Sequence, residues 1–425
     1  MIFANIDEKD IEIIREFKKD GIIYVEVKAT NRGCRCLNCG TYHTNVKEYR
    51  TKYINHSIYT MENTVLIYHQ RRFVCPRCQK THMEDNPFCS ENNRVSDKTI
   101  SSILDFLKRY NNPFRSAADY FHLSTTEIIK LFDLYCQMER NRFTRVMCFD
   151  EIYFSRHRKK KYVLVIINFF NRAIIDVLKD RDKSTLSSYL RKIDVEERNR
   201  VQYVCIDMND NYRDLLNVYF HNAFIVVDSF HVVKHISEAL DAVRKRVMRR
   251  FESNKKSDEY YLLKYKDELL YIEDQLSNEY KQPKYRHHFH FLYSDYEMLE
   301  MMLGLDKDLK VAYELYHSYI RFNNTDYNNP LDSLNDLNEL INDFKLSNIE
   351  EFIKLSDTLN NWKTEIVNSF AKVNGTRVSN GPIEGRNSLI KKILKIANGY
   401  TNFKRFRNRV IYCLNTLAKH NFKSQ

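Results

Sequence analysis

Two CxxC pairs place the strongest constraint on the fold of this chain. Cys36 and Cys39 form the first pair, Cys75 and Cys78 form the second, and 35 residues lie between the pairs. Each CxxC turn brings two thiolates toward one ion, so two turns can complete the tetrahedral four-cysteine site of a structural zinc. The separation exceeds the roughly 15 to 20 residues that are usual, and unliganded thiols are the alternative. We predict a zinc-ribbon-like domain over residues 1–93.

The other cysteines and the N-terminus bear on the cellular compartment. The chain has ten cysteines, and Met1 to Arg15 lacks the apolar stretch of a secretion signal. We therefore expect reduced thiols and a cytoplasmic setting. Cys34 and Cys89 are possible substitutes for a zinc ligand, although neither has a CxxC partner. No apolar run approaches roughly 18 residues, so we expect no membrane span.

The charge balance points to a polyanionic partner. The chain carries 68 Lys and Arg residues against 56 Asp and Glu residues, a formal net charge of +12. An excess of this size is typical of nucleic-acid binding, and a basic protein without such a partner is the alternative. The excess is concentrated, because residues 391–425 contain nine basic and no acidic side chains. Two further basic runs lie at 156–161 and 244–250.

Residues 94–141 carry the pattern of a helix-turn-helix DNA-binding domain. Ser96 can cap a first helix, and a short helix, a three-residue turn and a longer helix from Thr125 follow Pro113. In a helix-turn-helix the second helix of the motif enters the major groove. Its candidate DNA-reading side chains here are Thr125, Thr126 and Lys130. A plain helical hairpin has the same pattern and is the alternative.

The pattern over residues 142–231 predicts three strands, a helix, a strand, a helix and a final strand. This order is typical of a mixed sheet with helices on its faces. From Val232 to about Phe370 the apolar spacing is helical and nothing indicates a strand, so we predict an all-helical insertion over 232–372. Residues 373–425 are expected to return to the sheet domain and to end in basic helices. The predicted strands are 146–150, 162–167, 173–178, 201–207 and 223–228.

Three acidic residues stand where separate elements can bring them together. Asp150 and Asp207 end predicted strands, and Glu384 lies in the first turn of a helix that begins near Pro382. Three such carboxylates can hold two divalent ions, roughly 3.5–4 Å apart, for in-line phosphoryl transfer. Oxygen ligands favour magnesium or manganese. Taken singly, each acid is also compatible with a surface or capping role.

Several motifs, taken together, resemble one family over essentially the whole chain. The motifs are the paired cysteines with Arg71-Arg72-Phe73-Val74-Cys75, then Phe149-Asp150-Glu151, Val227-Asp228-Ser229-Phe230-His231-Val232-Val233-Lys234, Asn380-Gly381-Pro382-Ile383-Glu384-Gly385-Arg386-Asn387 and Gly399-Tyr400-Thr401-Asn402-Phe403. With these motifs in this order, the chain resembles bacterial insertion-sequence transposases of the ISL-three family. The resemblance implies a multidomain α+β protein. It implies a ribonuclease-H-like mixed α/β catalytic core with a DDE triad, interrupted by a helical insertion and preceded by zinc-binding and helix-turn-helix modules.

The resemblance leaves the middle acid of the triad open between two residues. Asp150 and Glu384 match the outer positions, and counting strands from Asp150 favours Asp207 over Asp228 as the second acid. Asp228 and His231 would then form the D-x-x-H element of related transposases. His231 would lie near the scissile phosphate, and a packed histidine is its alternative role. We expect the neighbouring Glu151 to point to the opposite face of its strand and not to bind the metal.

The function implied is binding of an element's terminal inverted repeats, followed by metal-dependent strand cleavage and strand transfer. The partner would be double-stranded DNA, bound by a homodimer or a larger assembly in the bacterial cytoplasm at the nucleoid. The side chains predicted to contact DNA phosphates near the C-terminus are Arg386, Lys391, Lys392, Lys404 and Arg405. A catalytically inactive DNA-binding protein derived from a transposase and a nuclease without strand transfer are the alternatives.

Overall fold

The N-terminal part of the chain forms a five-stranded sheet with a small hairpin beside it. The computed structural model describes residues 10–30, 33–58, 62–90, 93–155, 159–272 and 279–423. The strands in this part are β1 (Ile11–Lys19), β2 (Ile22–Ala29), β3 (Cys34–Arg35), β4 (Tyr42–His43), β5 (Val46–Asn55), β6 (Thr64–Val74) and β7 (Thr81–Met83). The sheet order is β1-β2-β6-β5, with β7 also paired to β6, and β3 and β4 form the separate hairpin. The sheet is therefore larger than that of a simple zinc ribbon.

Three helices follow the N-terminal sheet. They are α1 (Asp97–Lys108), α2 (Phe114–Phe121) and α3 (Thr125–Tyr135). The side chains of Ser96 and Ser124 accept hydrogen bonds from backbone N–H groups in the first turns of α1 and α3. His122 has a φ of 53°, which lets the chain turn sharply between α2 and α3. The short helix, turn and longer helix expected from the sequence are present, and their use in DNA reading stays a prediction.

A second five-stranded sheet forms the centre of the molecule. Its strands and the helices between them are β8 (Val146–Tyr153), β9 (Tyr162–Asn168), β10 (Ile174–Leu178), α4 (Lys183–Leu190), α5 (Val195–Asn199), β11 (Tyr203–Ile206), α6 (Asp210–Tyr219) and β12 (Phe224–Val227). The sheet order is β10-β9-β8-β11-β12. The β8–β9 and β9–β10 pairs are antiparallel, whereas the β8–β11 and β11–β12 pairs are parallel. The mixed sheet predicted from the sequence is present, with α5 as an additional short helix.

The segment after β12 is mainly helical but contains a short hairpin. Its elements are α7 (Ser229–Met248), α8 (Asp258–Tyr265), β13 (Lys284–Arg286), β14 (Phe291–Tyr293), α9 (Asp295–Leu303), α10 (Lys307–Asn324), α11 (Pro330–Leu346), α12 (Glu350–Asn361) and α13 (Lys363–Asn368), with 3-10 turns at Arg249–Phe251 and Asp267–Tyr271. The expectation of an insertion without strands is wrong at β13 and β14. Each strand has three residues, too few for the alternation of apolar and polar side chains that reveals a strand in a sequence.

The C-terminal elements return to the central sheet. They are β15 (Lys372–Val373), β16 (Thr376–Arg377), α14 (Gly381–Ile396) and α15 (Phe403–Leu414). Apolar residues of α14 and α15 pack on one face of the sheet, while α4, α6 and the helical insertion share a continuous core with its other face. None of the helices in the described ranges combines the length and the apolar composition needed to cross a bilayer.

The apolar cores do not follow the domain boundaries predicted from the sequence, which remain a prediction. The core of α1, α2 and α3 includes Tyr412 of α15 and Phe422. Arg409 of α15, which is 2% exposed, donates hydrogen bonds to the carbonyl oxygens of Leu107, Arg109 and Asn112. These carbonyls lie at and beyond the end of α1, where a helix leaves its acceptors without partners. Arg409 therefore joins the three-helix module to the C-terminal helix.

We predict that Arg409→Ala destabilises the protein, because it leaves buried carbonyl groups without donors. The expected loss is about 2–4 kcal/mol, which lowers the midpoint of thermal unfolding by about 5–10 °C. Lys404→Ala on the exposed side of the same helix is the matched control and should change the midpoint by about 1 °C or less. Circular dichroism during heating measures the midpoints. Equal midpoints for the two variants would contradict the role assigned to Arg409.

Candidate functional sites

The first candidate site is the group of four cysteines in the N-terminal part. The Sγ atoms of Cys36 and Cys78 are 3.5 Å apart, as are those of Cys39 and Cys75, and all four lie within 4.8 Å of one another. A tetrahedral zinc with Zn–S distances of about 2.3 Å places its sulfur ligands about 3.8 Å apart. The donor set and the spacing therefore fit structural zinc. Cys34 and Cys89 do not belong to this group.

Local turns explain why the two CxxC segments present their thiols to each other. The backbone N–H of Gly40 donates to the carbonyl of Cys36, and that of Gln79 donates to the carbonyl of Cys75, each at 2.9 Å. Gly40 adopts a φ of 72°, the left-handed conformation that the sequence position suggested. Hydrogen bonding by Thr41 lowers the pKa of the Cys39 thiol to about 6, whereas the pKa of Cys75 is raised to about 11 because burial and the Cys39 and Cys78 thiols outweigh the backbone hydrogen bonds from Cys78 and Arg77. A depressed thiol pKa favours the thiolate, which is the form that binds a metal.

The second candidate site lies at one edge of the central sheet. Asp150 lies in β8, Asp207 follows β11 directly, and Asp228 follows β12 and precedes α7. Because these three strands are parallel, the residues at their carboxyl ends meet at the same edge. Asp207, Asp228 and His231 have ligand atoms within 4.8 Å of one another, and His231 Nε2 lies 3.1 Å from Asp207 Oδ1. The fold thus brings together four of the five predicted catalytic residues.

Helix α14 closes this cluster through two buried asparagines. Asn380 donates through its side chain to Asp207 Oδ1 at 3.1 Å and through its backbone N–H to Asp228 Oδ1 at 3.2 Å. The side-chain amide of Asn387 donates to Asp150 Oδ2. Sequence reasoning gave these asparagines no role, although both belong to the motif around Glu384. Two asparagines seven residues apart, two turns along one helix face, were the available signal.

The pKa values of the three carboxylates are all raised, chiefly by burial. Burial, followed by the charge of Asp207, raises the pKa of Asp150 from 3.8 to about 7. Burial and the charge of Asp228 raise the pKa of Asp207 to about 6, and burial raises that of Asp228. Asp228 Oδ2 has no hydrogen-bond partner within the described residues. Crowded oxygen ligands with an unsatisfied buried atom fit a divalent cation such as magnesium or manganese.

A cavity of about 220 Å³ opens beside the carboxylates. Asp150, Asp207 and His231 line it, together with Glu151. Glu151 therefore shares the cavity with Asp150, although the alternation of side chains along a strand predicts opposite faces. Its carboxylate accepts a hydrogen bond from the Tyr212 hydroxyl at 2.7 Å and pairs with Arg181. Both partners also line the cavity, so these contacts fix Glu151 in the cavity wall.

Glu384 stands apart from the other acids in this structure. Its side chain is exposed on α14 and does not line the cavity. It lies four residues after Asn380 and three before Asn387, so all three residues share one side of the helix. That side is anchored to Asp150 and Asp207 by the two asparagines. Glu384 is therefore on the helix face that points toward the acids without contacting them.

The side chains predicted to bind DNA fall into two groups. Six are exposed or half-exposed: Thr125, Thr126, Lys130, Lys391, Lys392 and Lys404. Of these, Lys130 lies 3.8 Å from the carboxylate of Glu127. The arginines are engaged within the protein instead. Arg405 pairs with Asp133 at 2.6 Å, and Arg386 donates to the Arg172 carbonyl at 2.6 Å.

The basic run at 244–250 is also largely engaged within the protein. Arg244 is buried and pairs with Asp241, Arg246 pairs with Asp308 and Glu351, and Arg250 pairs with Asp306. In the run at 156–161, residues 156–158 lie outside the described residues. Several of the predicted basic side chains therefore form internal ion pairs.

Comparison with known proteins places this chain among the transposases. A family model described as "Transposase", for DDE transposases of the ISL3 type, matches residues 147–410. This range contains the whole carboxylate cluster and Glu384 and covers well over half of the chain. The chain belongs to the ISL3 family of insertion-sequence transposases. At the level of the family, these are enzymes that cleave and transfer DNA with the help of divalent metal.

Curated relatives agree with the family assignment. The transposase for insertion sequence element IS1001 from Bordetella parapertussis is 23% identical over 256 residues, which are 58% of this chain and 62% of that protein. The transposase for insertion sequence element IS1557 from Mycobacterium tuberculosis is 29% identical over 97 residues, 23% of this chain and 21% of that protein. The chain thus spans about three fifths of the first relative and one fifth of the second.

We predict that Asp150→Asn stabilises the protein when EDTA is present at pH 8. Because the pKa of Asp150 is raised in the fold, ionising this residue carries a cost that is absent below about pH 4 and fully present above about pH 7. Removing the charge should raise the free energy of unfolding by about 1–3 kcal/mol at pH 8 and leave it unchanged at pH 4. Thermal unfolding at both pH values measures the difference.

The matched control for this prediction is Asp119→Asn, which removes an exposed carboxylate on α2. Its midpoint should shift by about 1 °C or less at both pH values. If Asp150→Asn instead lowers the free energy of unfolding at pH 8, the ionised carboxylate of Asp150 does not cost the fold stability.

Proposed function

We propose that this protein is a DDE transposase that binds the terminal inverted repeats of its own element and catalyses metal-dependent strand cleavage and strand transfer. The observation that carries the proposal is the group of three crowded carboxylates at the carboxyl edge of the central sheet. Their raised pKa values support a site for cations, since none of the three forms an ion pair with a lysine or arginine among the described residues. The site lies within the range matched by the family model.

We further propose that the central sheet is ribonuclease-H-like. Three antiparallel strands continue into two parallel ones in the order β10-β9-β8-β11-β12, and helices cover both faces. In this arrangement the first acid lies on the central strand and the second acid follows the neighbouring parallel strand. Asp150 on β8 and Asp207 after β11 occupy these places, which supports Asp207 as the middle acid of the triad.

We assign Asp228 a supporting role, although its ligand atoms lie within 4.8 Å of those of Asp207 and His231 and its Oδ2 has no partner within the described residues. Asp228 is 3% exposed and accepts the backbone N–H of Asn380, whereas Asp207 lines the cavity with Asp150. In this proposal Asp228 holds the start of α14 in place. His231 contacts Asp207 at 3.1 Å from the first turn of α7 and can orient that carboxylate or hold a proton beside it.

The metal would be magnesium or manganese, held by Asp150, Asp207 and Glu384. A bound pair of such ions would activate the attacking oxygen and stabilise the leaving oxygen of in-line phosphoryl transfer. The chain contributes the placement of its three acids. Asn380 and Asn387 fix α14 against the sheet, and the Glu384 side chain would have to turn toward Asp150 and Asp207 to complete the set.

The N-terminal modules and the lysines would bind DNA. We propose that α2 and α3 act as a helix-turn-helix, with Thr125, Thr126 and Lys130 facing the major groove, and that the four-cysteine group holds structural zinc. The exposed lysines Lys391, Lys392 and Lys404 would contact DNA phosphates. Arg386 and Arg405 would also contact phosphates after releasing the Arg172 carbonyl and Asp133, respectively. The protein would act on double-stranded DNA as a homodimer or a larger assembly, at the nucleoid in the bacterial cytoplasm.

Cleavage and joining of labelled DNA test the enzymatic proposal. The purified protein should cut labelled terminal repeats of its element in magnesium and join the freed 3′ ends to target DNA. Glu384→Gln should lower both products by at least about 100-fold, because it removes a metal ligand. Glu339→Gln, an exposed glutamate on α11, is the matched control and should retain full activity.

Other outcomes of this experiment distinguish the alternatives. Binding without any cleavage would favour an inactive DNA-binding protein, and cleavage without joining would favour a nuclease. Asp207→Asn should abolish cleavage, whereas Asp228→Asn should reduce it less. Full cleavage by Asp207→Asn would transfer the role of middle acid to Asp228.

Salt dependence of DNA binding tests the helix-turn-helix. Lys130→Ala should weaken binding to the terminal repeats and reduce the slope of log K against log salt by about 1, because one phosphate contact is lost. Lys345→Ala, an exposed lysine on α11, is the control and should leave the slope unchanged. Fluorescence anisotropy over a salt series measures both variants, and identical slopes for wild type and Lys130→Ala would favour a plain helical hairpin.

A further inference from the structure

A second group of metal-ligating side chains lies beside the four cysteines. Cys34 of β3 and His43 of β4 are directly opposite each other in the antiparallel hairpin. His82 of β7 pairs with Phe73 of β6, on the strand pair that flanks the second CxxC segment. The two hairpins that carry the four cysteines therefore also bring Cys34, His43 and His82 together. Sequence spacing does not reveal this group, because its members belong to no recognisable motif.

The distances within this group match those of a metal site. Cys34 Sγ lies 2.9 Å from His82 Nε2 and 3.9 Å from His43 Nε2, and all three ligand atoms lie within 4.8 Å of one another. A tetrahedral zinc with one sulfur and two nitrogen ligands requires sulfur–nitrogen distances of about 3.5 Å. The two observed distances lie on either side of this value. Small side-chain rotations would therefore bring all three atoms to one ion.

His43 is a buried member of this group, and its Nε2 lies on the side of Cys34. The residue is 6% exposed, and Nε2 is 3.9 Å from Cys34 Sγ. The ring packs edge-on against His82, with centroids 5.3 Å apart. The other ring nitrogen, Nδ1, has no hydrogen-bond partner within the described part of the chain, and an ion at Nε2 would leave it so. The three ligand atoms therefore converge at a place that is partly shielded from solvent.

The backbone is adapted to hold this hairpin closed. A Cβ atom on Gly33 would lie 2.5 Å from Tyr42 Cζ and 2.7 Å from the carbonyl oxygen of His43. The backbone N–H of Gly33 donates to the Tyr42 hydroxyl at 3.0 Å. Only glycine permits this approach, which keeps Cys34 directly across from His43. Gly33 directly precedes β3, the strand that carries Cys34, so this close contact lies next to the proposed thiol ligand.

We propose that Cys34, His43 and His82 bind a second zinc ion, independently of the proposed transposase activity. One thiolate and two imidazoles suit zinc and do not suit magnesium or calcium. Three protein ligands leave a fourth position open. Cys34 and His82 line a cavity of about 630 Å³, from which a water molecule can fill that position. The ion would tie the β3–β4 hairpin to β7 and so reinforce the four-cysteine site.

Metal analysis of the full-length protein tests this proposal. After equilibration with zinc and removal of the excess by gel filtration, mass spectrometry of the metal should give two zinc ions per chain. Cys34→Ser should retain one, and Cys89→Ser, which removes a buried cysteine of the N-terminal core outside both groups, should retain two. One zinc per wild-type chain would overturn the proposal.

A spectroscopic titration keeps the test decisive if Cys34→Ser fails to fold. Cobalt added to the metal-free wild-type protein should bind in two equivalents. One equivalent should show the strong thiolate charge-transfer absorption of four cysteines, and the other should show about a quarter of it, because a single thiolate is present. His82→Phe should remove only the weaker component. Saturation at one equivalent, with the four-cysteine spectrum alone, would contradict a second site.

Discussion

The burial of three carboxylates at one edge of the central sheet is the constraint on which the arrangement of this site depends. Asp150 lies on β8, and Asp207 and Asp228 directly follow β11 and β12; because these strands are parallel, the sheet brings the three acids together. Burial raises the pKa values of all three, and the charge of Asp207 adds to the shift of Asp150 as the charge of Asp228 adds to that of Asp207. The amides of Asn380 and Asn387 offset part of this cost and at the same time attach α14 to the sheet. The same contacts thus hold the acids and place α14, the helix that carries Glu384.

Basic residues that are neighbours in the sequence have different roles in the folded protein, because some are bound internally and others are exposed to solvent. Arg405 and Arg409 belong to the same short C-terminal run as Lys404, but both are engaged internally, one with an aspartate of α3 and the other with carbonyl groups near the end of α1. A planar guanidinium with five donors suits such fixed contacts, whereas a lysine is easily left in solvent. Net charge therefore predicts the class of partner more reliably than it predicts the contacting residues.

Much of the fold and part of the site could be predicted from the sequence, and the reasons for success and failure are physical. The CxxC turns and the order of strands and helices along residues 142–231 could be predicted because residue spacing and apolar pattern signal them over short stretches. The hairpin of β13 and β14 escaped because its strands are too short to show a pattern. The roles of Asn380 and Asn387 escaped because their spacing shows that they share a helix face but does not show which groups that face contacts.

The sequence by itself determined the family and the four zinc-compatible cysteines, because both depend on residue identity at short spacing, and it predicted acids at strand ends while leaving Asp207 and Asp228 open as the middle one. Only the tertiary structure decided that Asp207 lines the cavity while Asp228 is buried against α14, and that Glu384 is displayed on a helix face without contacting the other acids. These outcomes depend on how strands and helices from distant parts of the chain pack together, and packing over such separations leaves no local pattern in the sequence.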